Sequence, residues 1–320
     1  MINAAIVGGG GYTAGELIRL LLNHPHINLK WVHSDSQTGL PVCSVHAGLL
    51  GDTDLVFTDQ ICLEDIEVLF LCMGHGKSRD FWSKTALPDN LTVIDLAQDF
   101  RDESCGYCYG LPEYQHEKIA SSRLIANPGC FATAIQLALL PLAQAGLLTS
   151  EVHVTGITGS TGAGVKPGST THFSWRCDNL SVYKAFEHQH LLEIERTLTA
   201  LQGAPLAGIN FVPMRGDFPR GIFASVYTDC PLDESQARQL YNDYYSDAVF
   251  THVSHVDIDL KQVTNTNKAL LHVSKHRGKI LIVSCIDNLL KGAVGQAVQN
   301  MNIAIGFRED CGLRLKPNAF

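Results

Sequence analysis

Through the first 130 residues, short apolar runs alternate with polar, glycine-marked breaks, the pattern of buried strands joined by helices. Ala4-Ala5-Ile6-Val7 closes a predicted strand over 2–7, and four glycines, 8–11, follow at once. Glu16-Leu17-Ile18-Arg19-Leu20-Leu21-Leu22 then carries a helix to Asn23-His24-Pro25. Further strands are predicted at 28–33, 68–72, 92–96 and 124–126, with a helical segment over 80–87 and a loop at 107–112. Strand and helix in alternation predict a parallel, doubly wound sheet.

The rhythm changes after residue 130. From Phe131 to Leu142 the chain is dominated by apolar and small residues, and no charge appears until Glu151, so a buried helix is predicted there. Strand-like runs follow at 152–157, 208–212, 221–227, 252–259, 269–275 and 280–286, with helical runs at 188–201, 234–245 and 293–305. A long glycine loop fills 158–168. This mixture predicts an α+β unit on a mostly antiparallel sheet. The fold class is therefore α/β: a Rossmann-type parallel-sheet domain plus an α+β catalytic and dimerisation domain. The expected boundaries are 1–129 with 288–307 for the first, 130–287 for the second, and a tail at 308–320. Ala293, Gly295 and Ala297 on one side of the last helix suit close packing against the first domain.

At 320 residues the chain is long enough for two cores. A formal net charge of −8 leaves no basic stripe for phosphates, which excludes general nucleic-acid binding. No run is apolar enough to predict a membrane span, and the short N-terminal apolar run lacks the basic lead of a signal peptide. Ten scattered cysteines then suit the reducing conditions of a cytoplasm. Cys105 and Cys108 have ligand spacing, but no second pair matches them, so no metal is expected.

The glycine turn lies where a first strand feeds a helix, the context of dinucleotide binding. Gly8, Gly10, Gly11, Tyr12 and Thr13 are its candidate residues, with backbone N–H groups offered to a pyrophosphate at the helix N-terminus. Asp35 falls roughly 20 residues later, where a carboxylate bonds a ribose 2′-OH and favours NAD. Its neighbours Ser34, Ser36 and Thr38 can instead donate to the 2′-phosphate of NADP, so the preference stays open. Gly74 follows another strand on the ligand side of the sheet.

Asn127-Pro128-Gly129-Cys130 opens the buried helix. A first-turn cysteine meets unpaired N–H groups and the positive end of the helix dipole, which stabilise a thiolate. A thiolate is a nucleophile; the competing reading is a small packing residue.

Several stretches, in order, resemble the N-acetyl-γ-glutamyl-phosphate reductases, relatives of the aspartate-semialdehyde dehydrogenases: Gly8–Leu22, Asp95–Arg101, Tyr109–Glu113, Ile125–Cys130, Gly159–Gly164, His188–Ile194 and Ile286–Ala293. The resemblance covers nearly the whole chain. It implies a two-domain enzyme of arginine biosynthesis that reduces an N-acylglutamyl phosphate to its semialdehyde with NADP(H), through a thioester on Cys130. It implies His190 as acid–base with Glu193 orienting it, and Ser160, Gly162 and Asn288 near the cofactor. His188 and His190 are expected on different faces of a helix, with one of them facing Cys130. Asn288 has a rival role as a helix cap. Substrate-binding candidates are Arg101, Asn127, His188, Lys166 and Arg220, with Arg215 a further cation. A homodimer or homotetramer acting on a small molecule is implied.

The sequence departs from the family's pattern at Phe211, where a histidine is usual, and in extra residues before Arg220-Gly221. That stretch and the 166–183 loop are candidates for contact with the acyl group, which leaves acetyl, succinyl or another acyl open. Two other readings remain: an aspartate-semialdehyde dehydrogenase-like reductase, and a dinucleotide-binding regulator with a dead site.

Overall fold

The computed structural model describes residues 1–318. They divide into two compact units, Met1–Pro128 with Ala293–Arg314, and Gly129–Gly292 with the residues from Leu315 on.

The first unit holds a seven-stranded sheet of β1 (Ile2–Val7), β2 (Ile27–His33), β3 (Phe57–Thr58), β4 (Val68–Leu71), β5 (Thr92–Asp95), β6 (Cys108–Tyr109) and β7 (Leu124–Ala126). Its order is β3-β2-β1-β4-β5-β7-β6 and every neighbouring pair is parallel. β4 and β5 are buried along their whole length, as strands covered on both faces must be. β1 lies between β2 and β4, so the winding reverses at its C-terminal end, the ligand-binding point of such sheets.

Four helices accompany these strands: α1 (Tyr12–Leu22), α2 (Val42–Val45), α3 (Lys77–Trp82) and α4 (Pro112–Ala120). α3 starts earlier and ends earlier than the pattern of apolar residues predicts. The Asp99 carboxylate accepts the backbone N–H groups of Gly76 (2.7 Å), Ser78 (3.0 Å) and Arg79 (3.2 Å), a cap supplied from the next βα connection.

The second unit is organised on α5 (Cys130–Gln144), in which every residue from Phe131 to Ala143 is buried. Pro141 lies inside this helix and cannot donate to the carbonyl of Leu137. The Tyr245 hydroxyl donates to that carbonyl at 2.5 Å, and the Tyr241 hydroxyl donates to the carbonyl of Ala138 at 2.5 Å. The break in the helix ladder is thus repaired from a neighbouring helix.

The second sheet contains β8 (Val152–Thr158), β9 (Ser181–Val182), β10 (Ile209–Arg215), β11 (Ile222–Asp229), β12 (Thr251–Ser254), β13 (Ala269–His276) and β14 (Lys279–Ile286). Its order is β12-β13-β14-β11-β8-β10-β9, with β8–β10 and β12–β13 parallel and the other pairs antiparallel. β12 ends at Ser254, short of the predicted 259. Three further helices are α6 (Phe173–Arg176), α7 (Leu191–Gln202) and α8 (Glu234–Tyr244). α8 opens on a capping box of Asp233 and Gln236.

A π-helical turn at Leu290–Val294 precedes α9 (Gly295–Ala304), where one continuous helix is predicted. α9 packs with α1, α4 and β5 of the first unit. Its buried Asn300 donates to the carbonyl of Gly110 (2.8 Å) and to Asn127 Oδ1 (3.0 Å), and Asn302 Oδ1 accepts from His24 Nε2 (3.0 Å).

Replacing Tyr245 by Phe removes the donor to the carbonyl that Pro141 orphans. Urea unfolding is expected to show a loss of about 1–3 kcal/mol, the usual cost of an unsatisfied buried carbonyl. An unchanged unfolding free energy would contradict this repair.

Candidate active site

In the first unit, the chain leaves β1 through Gly8, whose φ of +94° and close approach to the Cys72 carbonyl leave no room for a side chain. The N–H groups of Gly8 and Gly9 donate to the carbonyl of His33, and His46 Nε2 donates to the carbonyl of Gly9 at 2.7 Å. The turn is therefore held from behind. Gly11 caps α1 with no side-chain hydrogen bond and no atom within 4 Å of a Cβ placed there. The first-turn N–H groups around Tyr12 and Thr13 have no intrahelical acceptor, so the turn fits a phosphate.

Ser34 is buried at the end of β2 beside Gly10, and Ser36 is exposed. The Asp35 side chain is 91% exposed, with Oδ1 at 3.4 Å from His33 Nε2. Gly74 is open to solvent at the end of β4. Gly9 packs against Val32, and Gly15 packs on the His46 ring. Both are required for the turn but lack the fingerprint spacing that would have singled them out.

The Asp95–Arg101 stretch braces this region. Burial pushes the Asp95 carboxyl up to about 7, although it accepts from Ala97 N and Ser78 Oγ. Arg101 is buried, with Nε donating to the carbonyl of Asn127 (2.9 Å) and Nη2 to that of Leu96 (3.1 Å). Asn127 Nδ2 donates to the carbonyl of Ala293 at 3.0 Å. These bonds all fall within the first unit.

In the second unit, Gly129 caps α5 without any side-chain cap and Cys130 is half-buried in the first turn. A Cβ built on Gly129 would lie 2.3 Å from His190 Nε2, so only glycine lets the imidazole reach this helix terminus. The N–H of Gly129 donates to Glu193 Oε2 at 3.1 Å, and Glu193 Oε1 lies 4.0 Å from His190 Nε2. Cys130 Cβ lies against Gly292, where a side chain would collide at 2.8 Å. The structure therefore gathers the imidazole, the carboxylate and the start of the cysteine helix around one backbone position.

α7 begins at Leu191, later than predicted, so His188 and His190 lie in the turn before it and not on different faces of a helix. Their rings meet edge to face at 4.6 Å. His188 Nδ1 accepts the backbone N–H of His190 at 3.2 Å, and its ring is enclosed by Phe131, Tyr183 and Phe211. Burial, with help from the Lys184 charge, pushes His188 down to about 4. Phe211 is wholly buried in this cage, which removes it as a contact for an acyl group.

Arg220 is paired with buried Asp287 at 3.0 and 3.2 Å. Asn288 Oδ1 accepts from Gly221 N (2.7 Å), and Nδ2 donates to Thr161 Oγ1 (3.0 Å). Asn288 thus ties the glycine loop holding Ser160 and Gly162 to the start of β11. Asp287, not Asn288, caps the π-helical turn by accepting from Leu289 and Leu290. Lys166 is exposed on the glycine loop. Cys105 is exposed and Cys108 buried; among the described residues the metal-compatible group is Cys177, Asp178 and Asp217, all exposed.

Residues 3–122 match a family model described as the NAD binding domain of semialdehyde dehydrogenase, and residues 130–288 match its dimerisation domain. The chain is 54% identical over 322 residues to an N-acetyl-gamma-glutamyl-phosphate reductase of Phocaeicola vulgatus and 53% identical over 322 residues to one of Bacteroides fragilis, with 100% of each chain covered. Its fold is shared with aspartate semialdehyde dehydrogenase II from Vibrio cholerae, solved as a complex with ASA: TM-score 0.75, 16% identity, 96% of this chain and 98% of that one covered. The Candida albicans aspartate semialdehyde dehydrogenase solved with NADP gives a TM-score of 0.71 at 13% identity, covering 95% and 98%.

A His188 held near 4 in the folded chain and at its ordinary 6.5 in the unfolded chain makes stability depend on pH. Between those values the unfolded chain binds a proton that the folded one does not, so stability falls as pH drops from 6.5 toward 4. Urea unfolding across that range is expected to lose stability more steeply in the wild type than in His188→Gln. Equal slopes in the two proteins would contradict the assignment.

Proposed function

This chain belongs to the N-acetyl-γ-glutamyl-phosphate reductase family of semialdehyde dehydrogenases, and from that premise we propose that it reduces N-acetyl-γ-glutamyl phosphate to N-acetylglutamate 5-semialdehyde with release of phosphate, using NADPH, in arginine biosynthesis. The observation that carries this reading is the close approach of His190 to Gly129 at the open start of the Cys130 helix.

The Cys130 thiolate attacks the acyl-phosphate carbonyl, the carbon–oxygen bond to phosphate breaks, and phosphate leaves with the electron pair. The product is a thioester on the enzyme, whose carbonyl is open to hydride as a free carboxylate is not. Gly8–Thr13, together with Ser34 and Ser36, would hold the nicotinamide cofactor, which would supply the hydride when bound. His190 gives a proton to the oxygen of the thiohemiacetal and takes it back as the carbon–sulfur bond breaks, which returns the thiolate. Glu193, fixed by the N–H of Gly129, stabilises the imidazolium and orients the ring.

The first unit serves as the cofactor domain and the second as the catalytic domain, with self-association as a dimer or tetramer through the region that matches the dimerisation domain. A cytoplasmic location agrees with ten free cysteines. No helix among the described residues is long and apolar enough to cross a membrane.

Run in reverse, the wild type is expected to reduce NADP with N-acetylglutamate semialdehyde only when phosphate is present. Faster turnover of aspartate semialdehyde would overturn the substrate assignment. Cys130→Ser is expected to lose nearly all turnover while still binding cofactor, and retained turnover would remove Cys130 as nucleophile. Gly129→Ala pushes the imidazole aside, and an ångström of misplacement predicts a loss of about a hundredfold in kcat. Near-normal kcat in that variant would show that the His190 position is not needed.

A further inference from the structure

The second unit contains two arginines, Arg176 and Arg215, with no acid paired to them among the described residues. Arg176, 5% exposed, donates through Nη1 to the carbonyl of Arg215 (2.6 Å) and through Nη2 to Ser181 Oγ (3.0 Å). Arg215 ends β10, with its guanidinium 4.5 Å from the centre of the Tyr183 ring. Among the described residues neither guanidinium has a carboxylate within 4.0 Å, and the Nε of each is buried without a hydrogen-bond partner. Arg220 shows the contrast, since Asp287 answers it with two bonds. A guanidinium without an acid beside it in a partly desolvated place is costly, and a bound anion relieves the cost.

The pair is braced and lies close to the catalytic residues. β9 and β10 pair through Ser181 and Arg215, and Arg176 bonds both residues. The segment then runs on along β10, with Tyr183 N donating to the carbonyl of Pro213 (3.1 Å) and Phe186 N to that of Phe211 (2.9 Å). The Tyr183 ring lies 5.9 Å from His188, which lies 4.6 Å from His190. Tyr183 is also within electrostatic reach of Cys130. Arg215 thus lies over a ring that neighbours His188.

We propose that Arg215, braced by Arg176, binds the α-carboxylate at the far end of the glutamyl substrate and sets specificity for it. This rests on the reading given above. Phosphate must leave in every turnover, whereas the glutamyl skeleton stays attached until the aldehyde departs. A rigid planar fork suits the group that stays.

The reverse reaction separates the two anions, because semialdehyde and phosphate are then different molecules. Arg215→Met is expected to raise KM for N-acetylglutamate semialdehyde about tenfold to a hundredfold, the size of a lost charge-assisted bond, with KM for phosphate unchanged. Arg215→Lys is expected to fall between. The α-carboxamide of the semialdehyde should be a poor substrate for the wild type and no poorer for Arg215→Met, since the two changes remove one interaction. A rise in KM for phosphate equal to that for semialdehyde would overturn the proposal in favour of a phosphate site. Equal discrimination against the carboxamide by both proteins would also overturn it. Calorimetric titration with N-acetylglutamate needs no turnover: binding weakened in Arg215→Lys supports the carboxylate site even if the reaction assignment fails. Equal binding by wild type and Arg215→Lys refutes it.

Discussion

The second unit depends on one missing side chain. At Gly129 the chain turns into α5, and the space that a methyl group would fill is taken by the His190 imidazole. The same residue's N–H is bonded to Glu193, so one backbone position orders both the ring and the carboxylate. Because the next residue is Cys130, its thiol inherits this arrangement from the covalent chain, not from packing at a distance. Gly292 closes the other side by admitting Cys130 Cβ.

The helix behind this terminus has to be both buried and fixed. Its apolar length supplies burial, and its peptide dipoles leave a partial positive charge at the start, where a thiolate is stabilised. Pro141 breaks the ladder at Leu137, where the Tyr245 hydroxyl repairs it, and the Tyr241 hydroxyl bonds the neighbouring carbonyl of Ala138. The strand turn that delivers His188 and His190 carries left-handed Lys184 and Phe186, a local strain held by hydrogen bonds to β10. Rigidity in the scaffold is what keeps the imidazole within reach of a position it barely fits.

Apolar periodicity made most of the architecture legible, because strand burial and helix amphipathicity are local properties. The β1 strand, its glycine turn and α1, the buried α5 and the change of pattern after residue 130 could all be read in this way. What escaped was whatever one segment does to another far along the chain. The Asp99 cap moves α3 toward the N-terminus, the start of α7 excludes both histidines, and Asp287 rather than Asn288 takes the capping role. Side-chain chemistry was legible as residue type and not as state. Arg220 and Arg215 read alike in sequence, yet among the described residues Asp287 pairs with the first and no acid pairs with the second. Gly9, Gly15 and Gly129 matter through what they admit, which a sequence does not print.

The most direct test is to mix the enzyme with N-acetyl-γ-glutamyl phosphate in the absence of cofactor, quench in acid and map the peptides by mass. An N-acetylglutamyl adduct on the peptide containing Cys130, absent from Cys130→Ser and discharged by NADPH, is the expected result. An enzyme that turns over normally with no adduct at Cys130, or with the adduct on another cysteine, would contradict it.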